Sequence, residues 1–172
     1  IAQVTVLRGN QWGKIWLEDL YSHPELDIAL RGGDRILIEE DTRSFVALGA
    51  TGAQQKVPFE TKNLSALEGI AQVGGLNAGT ADPTGVFVFR NEPEAVVAQV
   101  LGRNDLQGAQ RMVYVLDLTK PNGMFMARDF VIRDGDTLYV TEAPFTQWSK
   151  VISSITGSAS SVNNLSSLAS SN

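Results

Sequence analysis

The sequence predicts an α+β fold, short strands in a sheet with a helix lying across one face, and three observations predict it. Apolar and polar residues alternate in VTVLR (Val4 to Arg8) and VFVFR (Val86 to Arg90), the period of a strand with one buried face. NLSALEGIAQVGG spaces Leu64, Leu67, Ile70 and Ala71 along one helical face. Finally, LRGGDRILIEE from Leu30 returns as IRDGDTLYVTE from Ile132, so the chain repeats a unit of structure.

Taken in order, VTVLR opens as a strand, and WLEDL (Trp16 to Leu20) matches YVLDL (Tyr114 to Leu118) further on. YSHPELD places His23 before a proline, a turn-like context. RILI after Asp34 and TLYV after Asp136 are short closing strands rich in β-formers. SFVALGATGAQQKVPF (Ser44 to Phe59) reads as two strands around a glycine turn. A helix follows from Asn63 or Ser65, with Ser65 and Glu68 as a capping box and Gly74 or Gly75 as its stop. NEPEAVVAQVLGRNDLQGAQ (Asn91 to Gln110) is an insertion, with either a short helix through Ala95 to Leu101 or a loop that meets a neighbouring subunit. A complete unit is thus strand, turn, strand, helix, strand, insertion, strand, turn, strand. The expected division is residues 1–43 as the back part of a first unit, 44–145 as a complete second unit, and 146–172 as a tail.

Composition narrows function by exclusion. With 14 basic and 19 acidic side chains the net charge is −5, which gives nucleic acid no attraction. There are no cysteines and one histidine, so thiolate or histidine-rich metal sites and acyl-transfer triads lack their parts. No nucleophile, base and orienting group assemble, and the chain reads as no enzyme and as needing no cofactor or metal. Glu39, Glu40 and Asp41 read as a solvated strand end. QVGGLNAG lacks the dinucleotide spacing of glycines, and RDGDT lacks the closing glutamate of a calcium loop. RGGD itself admits a phosphate loop, a cation site, an adhesion tripeptide or a turn. Its echo favours the turn: Gly33 with Asp34, and Gly135 with Asp136, end one segment and start the next.

The blocks LGATGAQQKVPF, GGL and the closing R-x-G-D-x-L-x-V resemble the soluble-ligand-binding β-grasp (SLBB) repeat. GGDRILIEEDTRSFVALGATG, ADPTGVFVFR and FVIRDGDTLYVTEAP together resemble the outer-membrane polysaccharide export proteins of Gram-negative bacteria, the Wza-like group, over roughly Val4 to Lys150. The resemblance implies β-grasp-like repeats, one partial and one complete, plus a C-terminal amphipathic helix. It also implies a periplasmic homo-oligomeric ring, usually an octamer, in the outer membrane, through which capsule or exopolysaccharide leaves the cell beside an inner-membrane polysaccharide co-polymerase or export partner. Members of that group are lipoproteins with an N-terminal export domain. This chain has neither the lipidated cysteine nor that domain, so a fragment or trimmed form is the expectation.

In the tail, Trp148, Val151, Ile152, Ile155, Ala159 and Val162 fall on one helical stripe opposite serines and Asn164. As a helix, residues 146–172 would extend about 40 Å, against a hydrocarbon core about 30 Å thick. A ring of such helices could turn the serine faces to a watery lumen and the stripe to lipid. The same composition suits a disordered tail. A periplasmic module that binds glycan or a partner protein without forming a pore is the other functional reading. Trp12, Trp16 and Phe125 could stack on sugars, although their apolar surroundings point to core positions.

Overall fold

The computed structural model of the chain describes residues 1–142. The first three strands are β1 (Ala2–Arg8), β2 (Gln11–Trp16) and β3 (Arg35–Glu40), in the order β2-β1-β3 and antiparallel throughout. Between β2 and β3 lie α1 (Leu17–Ser22) and a 3-10 turn at Pro24–Leu26, where the proline occupies a first-turn position that needs no N–H.

The second unit is larger. Strands β4 (Ser44–Gly49) and β5 (Gln55–Pro58) form a hairpin. A two-residue strand β6 (Leu64–Ser65) leads into α2 (Ala66–Gln72). Then come β7 (Val86–Glu92), α3 (Glu94–Leu101), β8 (Gln110–Leu116), α4 (Gly123–Asp129), β9 (Val131–Ile132) and β10 (Thr137–Val140). The sheet order is β5-β4-β10-β7-β8, with β10 parallel to β4 and antiparallel to β7, while β6 pairs with β9 in a separate ribbon.

One face of the five-stranded sheet makes the core. Phe45 and Ala47 of β4, Val86 and Val88 of β7, Leu116 of β8, and Leu138 and Val140 of β10 pack against Ala66 and Ile70 of α2, Ala127 of α4 and Val97 of α3. Helix α2 begins as its capping box requires: the Ser65 Oγ accepts from the Glu68 N–H at 3.2 Å, and the Glu68 carboxylate accepts from the Ser65 N–H at 2.8 Å. Those bonds hold the Glu68 carboxyl below its usual pKa. Gly69 lets the helix settle on the sheet, since a β-carbon there would stand 3.2 Å from the Phe45 ring. Gly49 is tighter. Its φ is +84°, and a β-carbon would meet the Val140 carbonyl oxygen at 2.0 Å.

The ladders of the two sheets run in matching register. Val4, Thr5 and Val6 face Ile38, Leu37 and Ile36, while Val86, Phe87 and Val88 face Val140, Tyr139 and Leu138. The echo read between WLEDL and YVLDL fails in register. Val4 faces Ile15 and Val86 faces Leu116, so the counterpart of Trp16 is Asp117 and not Tyr114. Leu17 to Leu20 are helical, whereas Tyr114 to Leu116 belong to a strand. The expectation of one covering helix is also too small, because α3 and α4 contribute to the same core. GMFMARD did not announce α4: it carries a glycine and lacks an N-cap side-chain bond.

Candidate functional site

Among the described residues no group of three or more histidines, cysteines, aspartates or glutamates could hold a metal ion. His23 is exposed and lies 2.9 Å from the Glu25 carboxylate. The polar chemistry that the fold does organise is an arginine–aspartate clasp, built twice.

In the first unit β1 ends on Arg8, and the turn before β3 supplies Asp34. Arg8 Nε and Nη2 donate to the two Asp34 oxygens at 2.9 and 2.6 Å, Arg8 Nη2 also donates to the Ala29 carbonyl at 2.8 Å, and the Arg31 N–H reaches the same carboxylate at 2.8 Å. In the second unit Arg90 Nε and Nη2 donate to Asp136 at 2.9 and 2.6 Å, Arg90 Nη2 donates to the Val131 carbonyl at 2.8 Å, and the Arg133 N–H reaches Asp136 at 2.8 Å. Each of these four bonds in one clasp has its counterpart in the other. Gly33 and Gly135 precede the two aspartates with φ of +93° and +80°, a conformation that side chains with a β-carbon resist.

The carboxylate thus joins the end of one strand to the start of its neighbour through a planar, bidentate pair. Hydrogen bonds from Arg8 and then from the Arg31 N–H bring the Asp34 carboxyl down to about 2. The second clasp is drier, with 7% of Arg90 and 1% of Asp136 side-chain surface exposed, against 33% and 4% for Arg8 and Asp34. Burial pushes the Arg90 pKa down, but Asp136 and Glu92 outweigh it and the net shift is upward.

That dryness comes from residues the first unit lacks. The Arg90 guanidinium lies 5.6 Å from the Tyr114 ring centre and 5.0 Å from that of Phe130. Glu92, 1% exposed, accepts from the Tyr114 hydroxyl at 2.7 Å, from Arg133 at 2.8 Å and from Arg90 at 3.4 Å. Burial first, and then the bond to Glu92, drives the Tyr114 pKa strongly upward. By the ladders Gly13 stands where Tyr114 would be. Glu92 falls in the insertion, whose first residues prolong β7 and whose helix α3 plugs the core with Val97.

The two units meet at Arg43. Its guanidinium lies 4.8 Å from the ring centres of both Trp16 and Phe59, and donates to Asp41 at 2.8 to 3.0 Å and to the Lys62 carbonyl at 3.0 Å. Burial raises the Asp41 pKa, but the bonds from Arg43 lower it more. Lys62 adds a 2.6 Å ion pair with Asp19 across the same junction.

Trp12 is 71% exposed and Phe125 is 57% exposed, so the core positions expected for them are not where the structure puts them. Trp12 sits next to a two-residue hairpin turn, and Phe125 lies on the outward side of α4 with Arg128 against its ring. Trp16 is half-buried against Arg43. On β3, Ile36 is 48% and Ile38 is 69% exposed, although their counterparts Leu138 and Val140 are fully buried. Strand β4 lies along β10, whereas among the described residues β3 is an edge strand. The tail stripe of Trp148, Val151, Ile152, Ile155, Ala159 and Val162 lies outside the described residues. Among the described residues no helix is long and apolar enough to cross a membrane.

A family model described as the SLBB domain matches residues 43–140. The capsule polysaccharide export outer membrane protein CtrA of Neisseria meningitidis serogroup A is 34% identical over 174 residues, covering 94% of this chain and 44% of that protein. The Vi polysaccharide export protein VexA/TviF of Salmonella typhi is 33% identical over 150 residues, covering 87% and 40%. The capsule polysaccharide export protein BexD of Haemophilus influenzae is 34% identical over 173 residues, covering 94% and 43%. The chain therefore spans less than half the length of these curated relatives.

Proposed function

The chain belongs to the SLBB domain family, and from that premise we propose that it is the ring-forming periplasmic part of an outer-membrane conduit that exports capsular or extracellular polysaccharide from a Gram-negative cell. The observation that carries this reading is the identity of 33–34% to polysaccharide export proteins, spread over 87–94% of the chain. The relatives are named as export proteins, which supports a conduit over an enzyme.

In this reading residues 1–43 are the back part of one β-grasp-like repeat, 44–145 are a complete second repeat, and 146–172 are an amphipathic membrane helix. Copies pack side by side around a ring, an octamer in the family's usual form, with an inner-membrane export partner feeding polymer into it. The clasps serve rigidity. Each fixes a closing strand to its neighbour, and Arg43 sets the angle between the repeats, so a ring assembled from such units keeps its bore. The open edge of β3 and the uncovered Ile36 and Ile38 give a surface suited to strand addition. The tail would turn Ile152 and Ile155 to lipid and its serines to the hydrated polymer.

Native mass spectrometry of the full-length protein in detergent tests the ring: a closed oligomer is expected, and monomer alone counts against it. Charge substitutions Ile152→Lys and Ile155→Lys should abolish membrane insertion and export; intact export would end the helix-barrel reading. The exposure of Trp12 favours one second reading, a glycan-binding or partner-binding module without a pore. Such a module would keep its affinity after removal of the tail, whereas a conduit would lose export.

A further inference from the structure

The ladders of the first unit set two rows of side chains on the face of its sheet opposite Val4, Ile36 and Ile38. Trp12, Leu7 and Arg35 form one row across β2, β1 and β3, and Lys14, Thr5 and Leu37 form the next. None of the six is buried. Trp12 is 71% exposed and Leu37 is 48% exposed, whereas the residue of the second unit that matches Trp12 in register is Val113, 8% exposed.

A single exposed apolar side chain needs no explanation, but Trp12 stands in a pattern of charge. Arg35 is exposed and has no acidic partner among the described residues. Its neighbour Asp34 is turned away, bound to Arg8. Lys14 meets Glu39 at 3.7 Å with both side chains largely in water, a pair of little strength that a ligand can displace. Acids gather at the far end of β3, in Glu39, Glu40 and Asp41. The row of Trp12, Leu7 and Arg35 is thus the cationic end of the face, in a chain whose net charge is −5.

We propose that this row is a docking platform for an acidic saccharide chain. Trp12 stacks on the C–H face of a pyranose ring, an apolar surface edged by hydroxyls that suits an indole wet on one side. Arg35 and Lys14 bind anionic substituents of the same or the adjoining sugar, and Leu7 and Thr5 form the floor between them. Trp12 and Arg35 stand about 10 Å apart at the backbone, and Lys14 about 7 Å along β2 from Trp12, spans that a disaccharide and the two long side chains cover. Lys14 and Arg35 alone are too few for an anionic membrane surface, which takes a larger basic cluster. An open row also holds a polymer from one side and lets it move on. The choice of a saccharide as occupant rests on the export reading, and a conduit and a pore-free module would present the platform equally.

The complete 172-residue chain is titrated in a calorimeter with oligogalacturonate, with dextran oligomers of the same length and with oligoglutamate. Oligogalacturonate should bind, dextran should bind several-fold more weakly, and oligoglutamate, which carries the charge without the sugar, should not bind. Trp12→Ala should weaken oligogalacturonate binding at least several-fold. Arg35→Ala should weaken it too while leaving the dextran affinity unchanged, and Lys56→Ala, at an exposed position on β5, should alter neither. The substituted side chains are all exposed, and melting curves matching that of the native chain show that each variant is folded. No binding of oligogalacturonate, equal binding of oligoglutamate, or full binding by Trp12→Ala overturns the proposal. Native mass spectrometry of the same samples separates this inference from the ring. A closed oligomer that binds no saccharide overturns the platform alone, and a monomer that binds it overturns the ring alone.

Discussion

Arg90 closes on Asp136 with paired hydrogen bonds of 2.9 and 2.6 Å, in surroundings that leave 7% and 1% of the two side chains exposed. A guanidinium left there without Asp136 remains charged and nearly dry, with only the longer 3.4 Å contact to Glu92 as an acidic partner. Asp136→Ala should therefore destabilise the chain by about 3–5 kcal/mol, the usual cost of stranding one partner of a buried pair. Asp34→Ala breaks the same set of bonds where Arg8 still meets water, and its effect in urea denaturation should be distinctly smaller. Equal losses at the two sites would show that burial does not separate the clasps.

Acid should reveal the first clasp. The Asp34 carboxyl titrates at about 2 in the folded chain, below the ordinary aspartate value of about 3.9. Because the folded pKa is depressed, its contribution is present above the unfolded value and is lost as pH falls toward 2. The melting-temperature gap between the native sequence and Asp34→Asn should be constant above pH 5 and shrink between pH 4 and pH 2. A gap that widens on acidification would contradict the assignment.

Two glycines with similar φ should respond differently to alanine. At Gly135, φ is +80° and a β-carbon would find open space, so Gly135→Ala should cost only the local backbone strain, about 1–2 kcal/mol. At Gly49 the same strain is joined by a contact of 2.0 Å with the Val140 carbonyl oxygen in the parallel β4–β10 pairing. Gly49→Ala should cost clearly more and shift β10 amide signals in NMR spectra.

Arg43→Lys keeps the charge but removes the flat guanidinium between Trp16 and Phe59. Stability should fall by about 1 kcal/mol, from two weakened ring contacts of about 0.5–1 kcal/mol each. The informative readout is geometry: small-angle scattering should broaden the distance distribution between the units, and cleavage near Arg43 should accelerate. Unchanged scattering would mean that other contacts fix the angle.

Strand alternation, the capping box and the two Gly-Asp turns were legible because each is local: the residues that decide them lie within a few positions of one another. The second partner of each clasp was not. Arg8 lies 26 residues from Asp34, and Arg90 lies 46 from Asp136, so no window contains both, although the arginine ends the echoed strand in VTVLR and VFVFR alike. Helix α4 was hidden for another reason, since Met124, Phe125 and Met126 expose an apolar surface and a helix with an apolar exterior lacks the one-sided pattern on which detection depends. The WLEDL echo misled through composition without register.

The pairing of β4 with β10 also orders events in time. Ser44 donates its N–H to Asp134, 90 residues away, and β4 lies along a strand that is among the last described parts of the chain to be synthesised. A polypeptide emerging from its N-terminus can close β1, β2 and β3 at once, but the β4–β5 hairpin must wait, with Phe45 and Phe59 uncovered, until nearly all of the second unit has appeared. The first unit is then a local folding event and the second a slow long-range closure. Ser44 to Phe59 would thus be the aromatic stretch that stays uncovered longest among the described residues.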